Sequence, residues 1–233
     1  MAFPTEALAT LDLAPLWLTL RLALIVTAIL IVVATPLAWW IASGRSRAVP
    51  LVEAVVALPL VLPPTVLGFY LLVAFAPGNP LGQFWQAATG RPLAFSFTGL
   101  VVASLIYSLP FAVQPLRTVF AALGAGPREA AASLGAGPLD TFVSVVLPLS
   151  WRGYLSAAIL SFAHTLGEFG VVLMVGGNIP GVTRLISIEI YERVETVDYA
   201  GAHLLAGILV VLSLAMLLPL YLVEGRARRA ATR

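Results

Sequence analysis

The sequence predicts an all-α polytopic membrane protein, and three observations carry that expectation. Hydrophobic residues make up 60% of the 233 and charged residues only 10%, with a mean hydropathy of +1.00; a soluble domain carries about a quarter of its residues as charges. Five apolar stretches, Leu16–Ala42, Leu51–Ala76, Gly99–Leu123, Gly153–Val175 and His203–Val223, are long enough to cross a bilayer. A helix needs about 20 residues for that. Arginines gather in alternate connections: Arg45 and Arg47, then Arg128 and Arg152, then Arg226, Arg228, Arg229 and Arg233 in the tail. The intervening connections hold only Arg91, or Arg184 and Arg193. Since the basic excess marks cytoplasmic segments, the N-terminus is expected outside and the C-terminus in the cytoplasm. The chain then divides into an external segment (1–12), a membrane domain (13–223) and a cytoplasmic basic tail (224–233) that an anionic leaflet attracts.

Composition excludes several classes of function. The chain has no cysteine, which removes disulfides, thiol catalysis and cysteine-bound metals. Its net charge of +2 points neither to nucleic acid nor to a strongly charged pore. The first charged residues, Glu6 and Asp12, are acidic and the first apolar run is long, so a cleaved signal peptide is not expected.

In span one, Arg21 lies one turn inside the outer end and can snorkel to the interface, while Pro36 can bend the inner end. Span two holds Pro59, Pro63 and Pro64 within six residues, removing three amide donors, so a break at mid-membrane is expected. Because freed carbonyls are costly in hydrocarbon, that break is expected to face the bundle interior. Two readings stay open for Pro63, Pro64 and Thr65: a half-helix N-terminus offered to an anion, or a packing kink that shapes the pore. The Gly- and Pro-rich loop 77–97 carries Phe84 and Trp85, suited to the interface. Span three carries Ser104, Ser108 and Gln114 on a polar stripe, with Arg117 at the cytoplasmic boundary.

Residues 128–148 interrupt the apolar pattern. Glu129, Ala130, Ala131, Ala132 and Leu134 favour a helix, and Gly135-Ala136-Gly137-Pro138 stops it. A second helix is expected after Pro138, with Leu139, Phe142, Val143 and Val146 on one face. Two short helices outside the bilayer make a knob.

Span four contains Ser161, His164, Thr165 and Glu168. Glu168 lies deep enough to need a partner, and His164, four residues earlier on the same helical face, is expected to pair with it. The pair is read as a lock onto a neighbouring helix, because a carboxylate on an anion path would repel the anion. Thr165 joins Ser108 as a candidate path residue. Residues 176–202 hold Arg184, Glu189, Glu192, Arg193, Glu195 and Asp198, a mixed-charge segment in which Arg184 and Arg193 are candidates for docking a soluble partner.

Glu129-Ala130-Ala131, Gly135, Val145, Leu147 and Pro148 together resemble the cytoplasmic EAA loop of type I ABC importer permeases. Within that superfamily, four stretches are similar to molybdate permeases: Leu58 to Pro64 with Gly68, Leu134 to Gly137, Leu166 to Gly170, and Asn178 to Gly181 with Thr183 and Arg184. Sulfate and thiosulfate permeases look similar but favour tyrosine where this chain has Phe169, and many relatives carry arginine where it has His164. The resemblance implies import of molybdate, and possible traffic in tungstate, by alternating access, with sulfate or thiosulfate as the second reading. It implies a homodimer in the bacterial cytoplasmic membrane, two ATPase subunits that bind ATP and Mg, and a periplasmic or lipid-anchored binding protein. The 128–148 loop would dock the ATPase. The chain has no Gly-x-x-x-x-Gly-Lys-Ser/Thr loop and so no ATP site of that kind. No catalytic, cofactor or metal residue is expected. A stand-alone channel or secondary carrier would show an internal repeat, which is missing, and a hydrolase using Ser161 and His164 lacks a second activating group.

Overall fold

The structure, a computed structural model, describes residues 12–44 and 46–231. The expected external segment falls almost wholly outside these residues, as do Arg45 and Arg233. Every regular element among the described residues is helical. In order they are α1 (Ala14–Ser43), α2 (Val49–Val61), α3 (Pro64–Phe75), α4 (Pro80–Thr89), α5 (Phe97–Leu123), α6 (Gly126–Ser133), α7 (Pro138–Thr141), a π-helical turn (Phe142–Val146), α8 (Leu147–Leu149), α9 (Trp151–Leu166), α10 (Gly170–Gly176), α11 (Ile186–Glu195) and α12 (Tyr199–Ala231).

Local chemistry sets these boundaries. Pro15 opens α1, Asp12 Oδ1 accepts the Ala14 amide at 2.8 Å, and Gly44 closes the helix at φ +62°. Pro36 sits inside α1 without ending it. Ser96 caps α5 by accepting the Gly99 amide at 3.0 Å, which satisfies one of the four orphan donors at a helix start. Three helices are long and apolar enough to span a membrane: α1, α5 and the first 24 residues of α12. Counting bent pairs as single spans raises the number to five. The sharpest bend, 111°, separates α2 from α3 at Leu62 and Pro63, where the prolines predict a break.

Two apolar clusters hold the bundle. The larger runs along one stripe of α1, with Leu22, Val26, Leu30, Ala34, Ala38 and Ile41 buried against Val113, Leu116 and Phe120 of α5 and Ala157 of α9. This spacing of four residues is the helical period, and it turns one face inward. The smaller joins Leu71 and Phe75 of α3, Ala103 of α5, and Val171 and Val175 of α10. α5 belongs to both. Glycine permits the closest approaches: a Cβ on Gly153 of α9 would stand 2.4 Å from Val119 Cγ1 and 3.4 Å from the Pro115 carbonyl of α5.

Gly153→Val is therefore expected to separate α9 from α5 and to destabilise the detergent-solubilised protein by about 1–3 kcal/mol. Thermal unfolding against Gly126→Ala, which meets nothing within 4 Å, checks this. Equal melting temperatures would contradict it.

Candidate functional site

The knob is built by α6, α7, the π turn and α8. Glu129 lies in the first turn of α6, where a carboxylate favours the helix dipole, and both Glu129 and Ala130 are exposed while Ala131 is buried. The helix closes when the Leu134 amide reaches the Ala130 and Ala131 carbonyls and the Ala136 amide reaches Ala131. Gly135 then takes φ +84°, a left-handed conformation that glycine adopts without Cβ strain. Pro138 opens α7. Leu147 and Pro148 end the knob on its exposed side, and the chain turns by 71° into α9.

The second helix of the knob departs from expectation. Val146 is buried at 1% exposure, but Leu139 is 76% and Val143 51% exposed, so the four residues do not share one face. The π turn at 142–146 adds a residue to the winding and rotates the helix beyond it. Leu134, 89% exposed, is with Leu139 among the large apolar side chains that the knob leaves uncovered.

An aromatic cluster ties the knob to the bundle. Trp39 of α1 meets Phe120 of α5 edge-on at 5.2 Å and Phe142 of the π turn at 5.5 Å. Phe120 also meets Tyr154 of α9 at 6.1 Å. The Arg128 guanidinium lies 5.3 Å over Trp39, and its Nε donates to the Gly124 carbonyl. Thus one cluster contacts the first, third and fourth spans and the knob.

The candidate path residues separate into two groups. Ser108 Oγ lies 3.0 Å from His164 Nδ1 and 3.1 Å from Thr165 Oγ1, while Thr165 donates to the Ser161 carbonyl. The His164 ring stacks on Phe111 at 3.8 Å and tilts over Tyr107 at 4.6 Å. Pro63, Pro64 and Thr65 are exposed, so the break is not enclosed by the single chain as expected. Two of the amides that open α3, those of Val66 and Leu67, bond to the Pro63 carbonyl. Pro64 packs on Gly170, where an added Cβ would stand 2.8 Å from its own Cβ.

The expected pairing of His164 with Glu168 is corrected by the structure. α9 ends at Leu166 with Gly167 at its cap, so the four-residue helical relation fails before Glu168. Glu168 instead accepts the Val171 amide at 2.7 Å and starts α10, with the Tyr107 phenol facing it. Arg117 and Glu53, which the sequence does not pair, form an ion pair of 2.6 Å. They lie 64 residues apart on different helices, and no local spacing announces such a contact. A cavity of about 210 Å³ is lined by this pair, and it shares Gln114 and Thr118 with a second cavity of about 400 Å³.

At the opposite end of the bundle, Arg184 and Arg193 are engaged within the chain. Glu189, 7% exposed, bridges them: Arg193 Nε lies at 2.8 Å and Arg184 Nη1 at 3.4 Å. Arg184 also reaches Glu192 and Asn178, and Arg193 reaches Asp198 at 2.7 Å. The Gly201 amide, with the Arg193 guanidinium, holds the Asp198 carboxyl below its ordinary range. As docking candidates both arginines are thus already committed to holding α11 against its neighbours. Among the described residues no group of three His, Asp or Glu side chains could hold a metal ion.

A bundle of long and broken membrane helices with a two-helix knob at one end defines a multi-pass transport subunit. Residues 34–229 match the family described as "Binding-protein-dependent transport system inner membrane component", and the chain belongs to that family. It is therefore an inner-membrane permease subunit. It is 56% identical over 210 residues to the molybdenum transport system permease protein ModB of Azotobacter vinelandii, covering 90% of this chain and 93% of the relative. It is 32% identical to the putative molybdenum transport system permease protein YvgM of Bacillus subtilis, over 92% and 94% of the two chains. To the sulfate transport system permease protein CysT of Synechocystis it is 33% identical, over 86% and 70%.

Removing the bridge is expected to uncover its weight. Glu189→Ala removes the shared partner of two guanidinium groups, each of which keeps a second carboxylate, and should cost about 1–3 kcal/mol, the range for losing a charged hydrogen-bond partner. Thermal unfolding of the purified chain checks this, and a change smaller than that of Glu195→Ala on the exposed end of α11 would refute it.

Proposed function

We propose that this chain is the permease subunit that carries molybdate, and tungstate as its close analogue, through an ATP-driven importer of the bacterial cytoplasmic membrane. The observation that carries the reading is 56% identity across nine-tenths of the chain to a molybdenum permease, against 33% to a sulfate permease. Sulfate remains the second reading because that second likeness also covers most of the chain.

The N-terminus lies outside and the C-terminus in the cytoplasm, in keeping with the arginine bias, so the knob points inward. Two copies of the chain surround one path. Each offers its knob, on which Leu134 and Leu139 are exposed, to one ATPase subunit, where ATP and Mg are bound. Closure of the ATPase pair moves the knob as a body, and the aromatic cluster around Trp39 passes that movement to the first, third and fourth spans. The breaks in spans two and four adjoin at Pro64 and Gly170. They supply the place where the outer halves can reorient without unwinding either helix further. Ser108 and Thr165 offer hydroxyls to the passing oxyanion, and a soluble binding protein delivers it.

The test is ATPase activity of the chain reconstituted with its ATPase and binding protein. Molybdate-loaded binding protein is expected to stimulate hydrolysis and sulfate-loaded protein is not; the reverse result moves the cargo to sulfate. Glu129→Ala and Gly135→Pro, which strike the helix start and the left-handed turn, should each lower uptake about tenfold, equivalent to roughly 1.4 kcal/mol of docking, while the chain still inserts. Normal uptake in both variants would remove the knob from the mechanism.

A further inference from the structure

Arg117 stands on α5 two turns before its end at the knob, and its Nη2 meets Glu53 Oε1 of α2 at 2.6 Å. The pair is incomplete. One nitrogen makes the contact, and the arginine side chain stays 49% exposed. A guanidinium presents five N–H groups in a planar fork suited to two oxygens of one oxyanion, so Arg117 keeps donors to spare.

The surroundings lead to this point. The 210 Å³ cavity beside the pair is walled by Gln114, Thr118, Val56 and Ile41. Gln114 and Thr118 also line the 400 Å³ cavity, which reaches Phe111 and Leu60. Phe111 stacks on His164, which bonds Ser108. Open volume therefore runs from the ion pair past Gln114 and Thr118 to Phe111, whose ring stacks on the histidine of the Ser108 cluster. A half-exposed arginine and an exposed glutamine do not face hydrocarbon, so this side of the chain meets water or protein.

We infer that Arg117 is a weak binding site for a tetrahedral oxyanion at the knob end of the path, and that Glu53 is its internal counter-ion, displaced by the arriving dianion. This rests on the anion-importer reading. A dianion brings two negative charges and two oxygens where Glu53 brings one charge and one contact, so the exchange favours the oxyanion when it is abundant and Glu53 when it is not. Glu53 rides on α2, which the break at Leu62 and Pro63 separates from α3. Displacing it therefore removes the ion pair between the knob-end half of span two and α5 and leaves that half held by the apolar packing of Val49 and Val56. Anion occupancy and the position of α2 become linked, because a ligand shifts a conformational equilibrium by its differential affinity for the two states.

The test uses the full chain in lipid nanodiscs of phosphatidylcholine, with radiolabelled molybdate or sulfate measured by equilibrium dialysis. Glu53→Gln removes the competing charge and should tighten binding about tenfold. Arg117→Gln should abolish it, and Arg117→Lys should restore part of it. The double variant Glu53→Gln with Arg117→Gln leaves no unpaired charge behind and serves as the folding control; a monodisperse double variant that still does not bind supports the assignment. Affinities alike in wild type, Glu53→Gln and the double variant overturn it. A phosphate headgroup shares the oxyanion's chemistry, so phosphatidylglycerol is added in a second arm. If it eliminates molybdate binding, the site holds lipid and the inference fails. Uptake by the reconstituted wild-type importer separates the two levels. Uptake with unaltered variant binding sinks only this inference, while failure to transport either anion sinks the functional reading beneath it.

Discussion

A backbone amide or carbonyl left without a partner in hydrocarbon costs several kcal/mol, and this chain must meet that constraint at every interrupted helix. At the break in span two, consecutive prolines reduce the demand because neither Pro63 nor Pro64 has an N–H. The Pro63 carbonyl then takes both the Val66 and Leu67 amides. At the break in span four, the Glu168 side chain takes the Val171 amide, and Ser187 donates to the Glu168 carbonyl at 2.6 Å. Farther along, Thr183 donates to the Gly176 carbonyl and its oxygen lies 3.2 Å from the Ile179 amide. Thr19 of α1 accepts the Ile186 amide at 2.9 Å and so starts α11. Side-chain oxygens replace the missing turns of helix.

Those repairs determine what packs where. With its ends satisfied locally, α10 can lie flat against α3, and the contact is made by residues without bulk: Gly170 on Pro64, and Gly68 on Met174 and Val171. The halves of spans two and four far from the knob share one cluster with Ala103 of α5, while α1, α2, α9 and most of α5 form the other, with Val172 of α10 and Ile188 of α11 added to it. α5 carries two internal prolines yet stays continuous, and it passes through both, joined there by α10, whose Val172 sits in the larger cluster and whose Val171 and Val175 sit in the smaller. Interiors packed at protein density transmit displacement instead of absorbing it. The knob, joined to α1, α5 and α9 through the ring of Trp39, is therefore mechanically part of the larger cluster.

The sequence disclosed whatever is written in local chemistry. Apolar length marked the helices, the prolines at 59, 63 and 64 located the break of span two, and Gly135 with Pro138 marked the turn of the knob. Features that depend on tertiary pairing were not legible. Glu53 and Arg117 are remote in the chain. The aromatic cluster draws Trp39, Phe120, Phe142 and Tyr154 from four elements with no shared period. The π turn has no signal that apolar spacing at the α-helical period could reveal, and it displaced Leu139 and Val143 from the expected face. Glu168 failed for a more instructive reason. Gly167 beside it was visible, and a glycine there can end a helix; treating the span as unbroken assigned the carboxylate to His164 when its use is to begin the next helix.

The acidic residues show how such a chain can serve an anionic cargo. Two unit charges about 4 Å apart interact by roughly 4 kcal/mol at a protein surface, and a dianion doubles that. An uncompensated carboxylate beside the path would therefore be a barrier of several kcal/mol. The carboxylates within the bundle each have a partner: Glu53 is paired with Arg117, Glu189 with Arg184 and Arg193, and Glu168 accepts a hydrogen bond from the Val171 amide. The compensation differs in permanence. Glu189 is held by two arginines and nearly buried, so it belongs to the frame, whereas Glu53 has one half-exposed partner and can let go. The same residue type thus gives a fixed strut at one end of the bundle and a releasable contact at the other, and partner number with burial decides between them.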